Sequence, residues 1–545
     1  LSAYFTAKFL VVKKNHKLFF KNLLINLKDS NKYLSKDKNL SNSLKFIILI
    51  ILIQFFCIDF KTYIYHLDLF HEGLWLTASS NAIYKNEFWQ SSYIGRGLFG
   101  NFSNYFIWKI SDINSIGISR FVALFFIMLN KVFLVLISKN LVEKTFLDSN
   151  KKFCLFIVLS FFLITLSDYN LNGPYSLRSF GLLFFIYFLL KFFDNFKVGS
   201  LPLLIIGFFS SVSFFWYIDV GVYINLTIFL LIIYLLLRKE FLISASIVFY
   251  ILAGWVFFYT LLPKNEFINF YKNTLSIFLT IEYIQGLIYP TPFFSGDARS
   301  TRALLLILIT GIFTINLLFK LNDKISLETK LSLVFLFLIA CINFKSALSR
   351  SDTGHIKAGL SIIYIPLFYH FLYSVITKIS FKNINFTNKY LQILLLILFF
   401  ILGLSNNTNS NFRNLPNSLN SIKYLVSQDD NKFLNQDYND FINYYKKISI
   451  NDKCIQIFTN EVAIPYLLKK PTCTKYYVVY SASPITLQKD HVSSLILKRP
   501  KYILYKSEKD LYDDPIKRLT IVNEYILKNY TFFRKFNKFT ILKRK

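Results

Sequence analysis

The side chains best suited to acid–base chemistry lie in one short segment, residues 65–73. Asp68, His71 and Glu72 stand at positions i, i+3 and i+4, so on a helix all three share one face. Two carboxylates and an imidazole placed together can act as a general base, bind a cation, or raise the pKa of one carboxyl through its neighbour. The alternative interpretation is a solvated acidic turn at a membrane boundary.

Arginines and one more carboxylate interrupt apolar segments elsewhere. Arg96 lies between two glycines, Arg178 and Arg299 stand where apolar segments begin, and Asp219 lies in an otherwise apolar turn between two of them. The planar fork of arginine matches phosphate oxygens better than lysine does. An acidic residue at membrane depth is costly and therefore indicates a function. In the alternative interpretation, Arg96 is an exposed loop residue and Arg178 extends its stem along the membrane to reach water.

A second compact polar motif separates two apolar segments at residues 349–355. It contains Arg350, Asp352 and His355, with Gly354 before the histidine. So many polar side chains in so short a connection favour a binding role, and an ordinary polar turn is the alternative.

The elements that must position these residues are those of a polytopic membrane protein. Of the 545 residues, 54% are hydrophobic and only 17% are charged, whereas soluble domains carry about 25% charged residues. Disorder, a collagen-like repeat and a small disulfide scaffold are excluded by the same figures. Because a spanning helix needs about 20 apolar residues, we predict about eleven spans, at 45–64, 117–137, 153–167, 179–193, 201–217, 220–237, 241–262, 301–319, 331–348, 356–377 and 390–405.

The positive charge, +31 in total, is unevenly placed along the chain. Residues 1–44 carry nine lysines against two aspartates, which predicts a cytoplasmic N-terminal segment. Alternate short connections (138–152, 194–200, 238–239, 320–330 and 378–389) should then also be cytoplasmic, and the connections that mix carboxylates, arginines and histidines should lie outside. The fourth external connection, 263–300, is partly amphipathic and is predicted to lie in the membrane interface. No nucleic-acid recognition motif accompanies the basic residues, so nucleic acid is not a predicted partner.

The chain becomes more polar after residue 405, where the long apolar segments end. A polar stretch, 405–420, is predicted to be a linker into a small external α/β domain at 406–545. Expected strands at 454–459, 475–481 and 502–507 alternate there with expected helices at 461–469, 486–498 and 515–528. Residues 531–542 are expected to form either a hairpin or edge strands. Cys454 and Cys473 lie in this domain, and an oxidising compartment would allow them to form a disulfide. No cysteine–histidine cluster has metal-ligand spacing, so no metal or other cofactor is predicted, and a divalent metal is not supported by the sequence.

Taken together, the motifs resemble those of GT-C glycosyltransferases, polytopic enzymes with an acidic motif in the first external loop. The resemblance covers most of residues 45–405, with first loop 65–116. Closest in pattern are bacterial members with an Asp-x-x-His-Glu-Gly first loop and a later Arg-Ser-Asp-x-x-His loop, here Asp68–Gly73 and Arg350–His355. The chain lacks the acidic dipeptide of many relatives, so the base is either Asp68 or Glu72.

The resemblance implies a hexosyl- or pentosyltransferase in the bacterial inner membrane that uses a polyprenyl-phosphate sugar as donor. Transfer would occur on the periplasmic face, with inversion, to a glycan, lipid or protein acceptor. A first-loop carboxylate would act as base, and positive groups would neutralise the leaving lipid phosphate. The substrate-binding residues expected on this basis are His71, Arg96, Arg178, Asp219, Arg299, Arg350, Asp352 and His355. Two alternatives stay open: a transporter or flippase of lipid-linked saccharides, and an enzyme like the O-antigen ligases or polymerases.

Overall fold

The computed structural model describes residues 38–545 except 94, 146, 167–175, 195, 286–291, 295–297, 320–324, 349–352, 380–393, 395–396, 399–400, 402–409 and 507–514. The predicted N-terminal segment 1–44 and the eleventh span, 390–405, lie mostly outside the described residues.

Residues 38–378 form fourteen described helices. They are α1 (Lys38–Phe56), α2 (His71–Lys85), α3 (Leu98–Ser111), α4 (Ile116–Glu143), α5 (Ser149–Leu166), α6 (Ser176–Asp194), α7 (Leu201–Trp216), α8 (Ile218–Leu237), α9 (Phe241–Leu261), α10 (Lys264–Gln285), α11 (Ala298–Phe319), α12 (Leu327–Leu348), α13 (Thr353–Leu360) and α14 (Tyr364–Lys378). The chain is therefore predominantly helical, as its composition predicts.

Six of these helices are long and apolar enough to cross a membrane: α4, α6, α8, α9, α11 and α12. Two more, within α1 and α7, are apolar but shorter. The multiple apolar helices indicate an integral membrane protein, whereas the predicted count of about eleven spans is not reached among the described residues. The predicted span 356–377 is divided into α13 and α14, because Pro366 in the first turn of α14 has no N–H with which to continue a helix from residue 362.

The lysine-rich connections meet at one end of the helix bundle. Lys144 forms an ion pair with Asp194, and Thr145 forms a β-bridge with Ile325. At the same end, Lys151 donates to the carbonyl of Thr377 (3.0 Å), and the guanidinium of Arg238 lies 5.2 Å from the ring centre of Phe196. The described parts of the five short connections that the charge pattern assigns to the cytoplasm thereby lie on a common side.

The C-terminal region contains α15 (Ser418–Val426), α16 (Gln436–Ile448), β1 (Gln456–Phe458), α17 (Ile464–Leu467), α18 (Ile485–Lys498), β2 (Tyr502–Lys506), α19 (Pro515–Arg518), α20 (Thr520–Asn529), β3 (Tyr530–Phe536) and β4 (Phe539–Arg544). The four strands form a mixed sheet in the order β1-β2-β4-β3, with β1 and β2 parallel and the other pairs antiparallel. The predicted small α/β architecture is therefore present. The strand expected at 475–481 is wrong, since residues Val479–Ala482 form a 3₁₀ helix, and helices α15 and α16 were not predicted.

The C-terminal domain is packed directly against the first loop, residues 65–116. Trp108 of α3 stacks on Tyr466 of α17 with ring centres 5.4 Å apart. Gly117, at the start of α4, has no room for a side chain, because a Cβ there would overlap the carbonyl oxygen of Leu425. The first loop and the C-terminal domain thus lie on the same side of the helix bundle.

Cys454 and Cys473 are joined by a disulfide in the structure. The bond links the start of β1 to the segment that follows α17, and residues 455 and 472 also pair as a parallel β-bridge. Its placement fits a C-terminal domain that lies in an oxidising compartment.

Candidate active site in the first loop

Asp68 stands immediately before α2, where its carboxylate binds the free N–H groups of the helix start. Its Oδ1 accepts hydrogen bonds from the backbone N–H of Phe70 (3.0 Å) and of His71 (2.8 Å). Its Oδ2 lies 2.7 Å from Nδ1 of His71. Burial tends to raise the pKa of Asp68, but the histidine and these two N–H donors together hold that pKa below its usual value. Asp68 is therefore an ionised carboxylate in a fixed orientation.

The Asp68–His71 pair is open to solvent on one side. The side chains are 49% and 45% exposed, respectively. The ring of Phe70 meets the imidazole edge-on, with centres 4.9 Å apart. Both groups are thus held by the protein and yet accessible to a substrate.

Glu72 has a different environment, because it forms a two-pronged ion pair with Arg120 of α4. Nε of Arg120 donates to Oε1 and its Nη2 donates to Oε2, each at 2.8 Å. Nη1 donates to the carbonyls of Tyr63 (2.6 Å) and Tyr65 (2.9 Å). The Arg120 side chain is only 5% exposed and Glu72 is 16% exposed. Glu72 is therefore neutralised and mostly buried.

The Glu72–Arg120 pair also fixes the backbone at Asp68. Oε2 of Glu72 accepts from the backbone N–H of Asp68 (2.9 Å), so this oxygen joins the arginine to the start of the motif. Arg120 is not among the site residues predicted from the sequence. An arginine four residues inside an apolar span was a detectable signal, because such a charge requires a partner, but its partner could not be read from the sequence.

The C-terminal domain holds the chain on both sides of Asp68. The N–H of Leu67 donates to the carbonyl of Phe433 (2.7 Å), and the N–H of Ala463 donates to the carbonyl of Leu69 (2.9 Å). Gly73 allows this contact, because a Cβ on it would lie 2.5 Å from the nitrogen of Ala463. The candidate site is therefore built jointly by the first loop, α4 and the C-terminal domain.

Arg96 lies beside α2, one helical turn beyond His71. Trp75 follows His71 by one helical turn, and the guanidinium of Arg96 lies 5.3 Å from the centre of its ring. A Cβ on Gly100 would touch both Arg96 and Tyr217 at 3.1 Å, so Arg96 is packed beside Tyr217 at the junction of α7 and α8.

Arg178 and Asp219 meet at this same junction. They form an ion pair in which Arg178 is 20% exposed and Asp219 is 40% exposed. Trp216, three residues before Asp219, donates from its indole N–H to the carbonyl of Leu177 (2.7 Å). The structure therefore brings three of the predicted substrate-binding residues, Arg96, Arg178 and Asp219, to one region beside α2.

The remaining predicted residues belong to the later helices. Arg299 is exposed in the first turn of α11, and His355 is half-buried in the first turn of α13. Helices α11 and α13 contact each other. Arg350 and Asp352 lie outside the described residues.

In the described part of the chain, no group of three or more histidine, cysteine, aspartate or glutamate side chains is placed to hold a metal ion. The carboxylates of Asp68 and Glu72 make the hydrogen bonds and the ion pair described above.

No family model matches the chain, and no curated protein matches it. Solved structures are similar to it. The crystal structure of ArnT from Cupriavidus metallidurans bound to undecaprenyl phosphate gives a TM-score of 0.45 at 10% identity, covering 91% of this chain and 97% of that chain. The Archaeoglobus fulgidus oligosaccharyltransferase tethered to an acceptor peptide gives a TM-score of 0.47 at 9% identity, covering 94% of this chain and 74% of that chain. Its apo form gives a TM-score of 0.43 at 9% identity, covering 85% of this chain and 69% of that chain.

Proposed function

We propose that the protein is a membrane glycosyltransferase that transfers a sugar from a polyprenyl-phosphate donor to an acceptor on the periplasmic face. The observation that carries this proposal is the Asp68–His71 pair: an oriented, half-exposed acid–base pair in the first external loop, on the side where the C-terminal domain is packed. The guanidinium of Arg96 lies over Trp75 of α2, and that of Arg178 pairs with Asp219 at the junction of α7 and α8. An acid–base pair beside cationic side chains suits a substrate that combines an acceptor hydroxyl with a lipid phosphate.

Of the two first-loop carboxylates, we assign the catalytic role to Asp68. Glu72 is paired through both oxygens with a buried arginine and is only 16% exposed, so neither oxygen is free to meet a substrate hydroxyl. Asp68 carries no such counter-ion and is half exposed. Proton removal from the acceptor therefore depends on Asp68.

Transfer proceeds with inversion in this account. The acceptor oxygen attacks the anomeric carbon from the side opposite the lipid phosphate, and the bond from that carbon to the phosphate oxygen breaks. The leaving phosphate gains negative charge, which preorganised guanidiniums stabilise. Arg96 and Arg178 are the candidates for this task near α2 and the α7–α8 junction, and Arg299, Arg350 and His355 are the candidates from later in the chain.

Arg178 gives a direct prediction for donor binding. Substitution Arg178→Gln removes a charged donor to the lipid phosphate, and a charge-assisted hydrogen bond contributes about 1.5–3 kcal/mol. We expect kcat/KM for the donor to fall about 10- to 100-fold, as measured by steady-state kinetics over a donor titration. Lys109→Gln, which removes an exposed cation of α3, is the control and should leave kcat/KM unchanged. An unchanged kcat/KM in Arg178→Gln would exclude this arginine from the phosphate site.

The reaction itself is tested with the purified full-length protein in lipid nanodiscs and a radiolabelled polyprenyl-phosphate sugar. A transferase releases free polyprenyl phosphate in step with the appearance of label in the acceptor. A transporter or flippase moves the donor between leaflets of a proteoliposome and leaves the sugar–phosphate bond intact. Intact donor after incubation with a mixture of glycan, lipid and peptide acceptors, together with transbilayer movement, would reject the proposal.

A further inference from the structure

The hydrogen bonds of Asp68 leave this carboxylate poorly suited to take a proton directly. One oxygen accepts two backbone N–H groups and the other faces Nδ1 of His71. Each of these bonds favours the ionised form and so weakens the carboxylate as a base. The imidazole that Asp68 holds is 45% exposed, so it is also open to a substrate.

The orientation of the imidazole follows from the charge on Asp68. An ionised carboxylate can only accept hydrogen bonds, so Nδ1 of His71 must be the donor. In a neutral imidazole the lone pair then belongs to Nε2, the nitrogen on the far side of the ring. The edge-on contact with Phe70 limits rotation of the ring. Nε2 is thus presented as a proton acceptor in a fixed direction.

We infer that Nε2 of His71 takes the proton from the acceptor hydroxyl, while Asp68 orients the imidazole and stabilises the imidazolium that forms. This inference rests on the proposed glycosyl transfer and adds a catalytic residue to it. The same division of labour between an aspartate and a histidine operates in serine hydrolases.

The surrounding charges allow the imidazolium to form. Within the first-loop motif, His71 faces Asp68. The charge of Glu72 is balanced by Arg120 of α4. Tyr65 lies over the Arg120 guanidinium, 3.8 Å from ring centre to carbon.

From the C-terminal domain, Tyr480 meets the ring of Phe70 at 5.9 Å, and the guanidinium of Arg518 lies 6.0 Å from the centre of the Tyr480 ring. The carboxylate in direct contact with the imidazole is therefore Asp68, whose negative charge compensates the new positive charge.

Proton transfer to His71 accompanies glycosyl transfer. The O–H bond of the acceptor breaks and its proton moves to Nε2, while the acceptor oxygen forms a bond to the anomeric carbon. The bond from that carbon to the phosphate oxygen breaks, and its electron pair leaves with the polyprenyl phosphate. The imidazolium then returns its proton to water or to the released phosphate. Such a base is required for a neutral hydroxyl acceptor and is not required for an anionic one.

Chemical rescue tests the inference in the full-length protein. His71→Ala should lower kcat by about 10²- to 10⁴-fold, and added imidazole should restore part of the lost rate in proportion to its concentration. His66→Ala is the matched control, because His66 is an exposed histidine two residues before Asp68. It should retain the wild-type rate and should not respond to imidazole.

A second variant, His71→Asn, distinguishes loss of the base from loss of folding. His71→Asn places an amide N–H where Nδ1 donates to Asp68, yet it offers no basic nitrogen on the far side. It should be as stable as the wild type and as inactive as His71→Ala. If His71→Asn keeps the wild-type rate while Asp68→Asn is inactive, the inference is wrong and Asp68 is itself the base. If Asp68→Asn is also fully active, the proposed first-loop mechanism fails as a whole.

Discussion

Asp68→Asn is expected to abolish most of the sugar transfer, with kcat lowered by about 10²- to 10⁴-fold. The asparagine keeps the size of the side chain and an oxygen that can still accept from the N–H groups of Phe70 and His71. It places an amide N–H, instead of a carboxylate oxygen, against Nδ1 of His71. The imidazole then loses both its orienting acceptor and the negative charge that stabilises its protonated form.

The control for this prediction is Asp112→Asn in the same loop. Asp112 is exposed and has a left-handed backbone (φ 55°), which asparagine tolerates well. Both variants should insert into the membrane and show the thermal unfolding of the wild type. The measurement is release of polyprenyl phosphate by purified protein, and a normal rate in Asp68→Asn would contradict the role of this carboxylate.

Arg120→Gln is expected to be the most destabilising single substitution around the site. It leaves Glu72 mostly buried without a counter-ion and removes the donor to the carbonyls of Tyr63 and Tyr65. Breaking one side of a buried ion pair typically costs about 3–5 kcal/mol. Because Glu72 also binds the N–H of Asp68, activity should fall together with stability.

A double-mutant cycle separates the ion pair from its neighbours. In Arg120→Gln/Glu72→Gln no unpaired charge remains, so much of the lost stability should return. The measurement is the thermal unfolding midpoint of the four proteins in one detergent. Equal midpoints for wild type and Arg120→Gln would show that the ion pair does not support the site.

The sequence predicts the helices well where apolar residues run without interruption. Spans at 220–237 and 241–262 were expected, and α8 and α9 occupy Ile218–Leu237 and Phe241–Leu261. An amphipathic interface helix was expected within 263–300, and α10 occupies Lys264–Gln285. Periodicity and turn residues carry enough information for such elements.

Segments shaped by distant contacts were not predictable in the same way. Residues 475–481 have the composition of a strand, but both tyrosines that follow Lys475 are fully buried in the fold. The hydroxyl of Tyr477 donates to the carbonyl of Leu74, and the carbonyl of Lys475 accepts from Tyr93. The segment therefore packs against the first loop instead of joining the sheet, because tertiary contacts override local strand propensity.

The candidate site follows the same rule. Asp68, His71 and Glu72 were brought together by their spacing, since a helix begins at His71. The different environments of the two carboxylates depend on Arg120, Phe433 and Ala463, which lie up to hundreds of residues away in the chain. Local spacing can indicate a cluster of ionisable groups, but only the folded chain decides which of them is neutralised.

The account is tested most directly by a cryo-electron microscopy structure of the protein with a non-hydrolysable polyprenyl-phosphate sugar. We predict that the lipid phosphate contacts the guanidinium of Arg178 or Arg96, with the anomeric carbon facing the Asp68–His71 pair. The account is contradicted if the phosphate lies at the opposite end of the bundle, beside Lys144 and Asp194, or if no path joins it to Asp68.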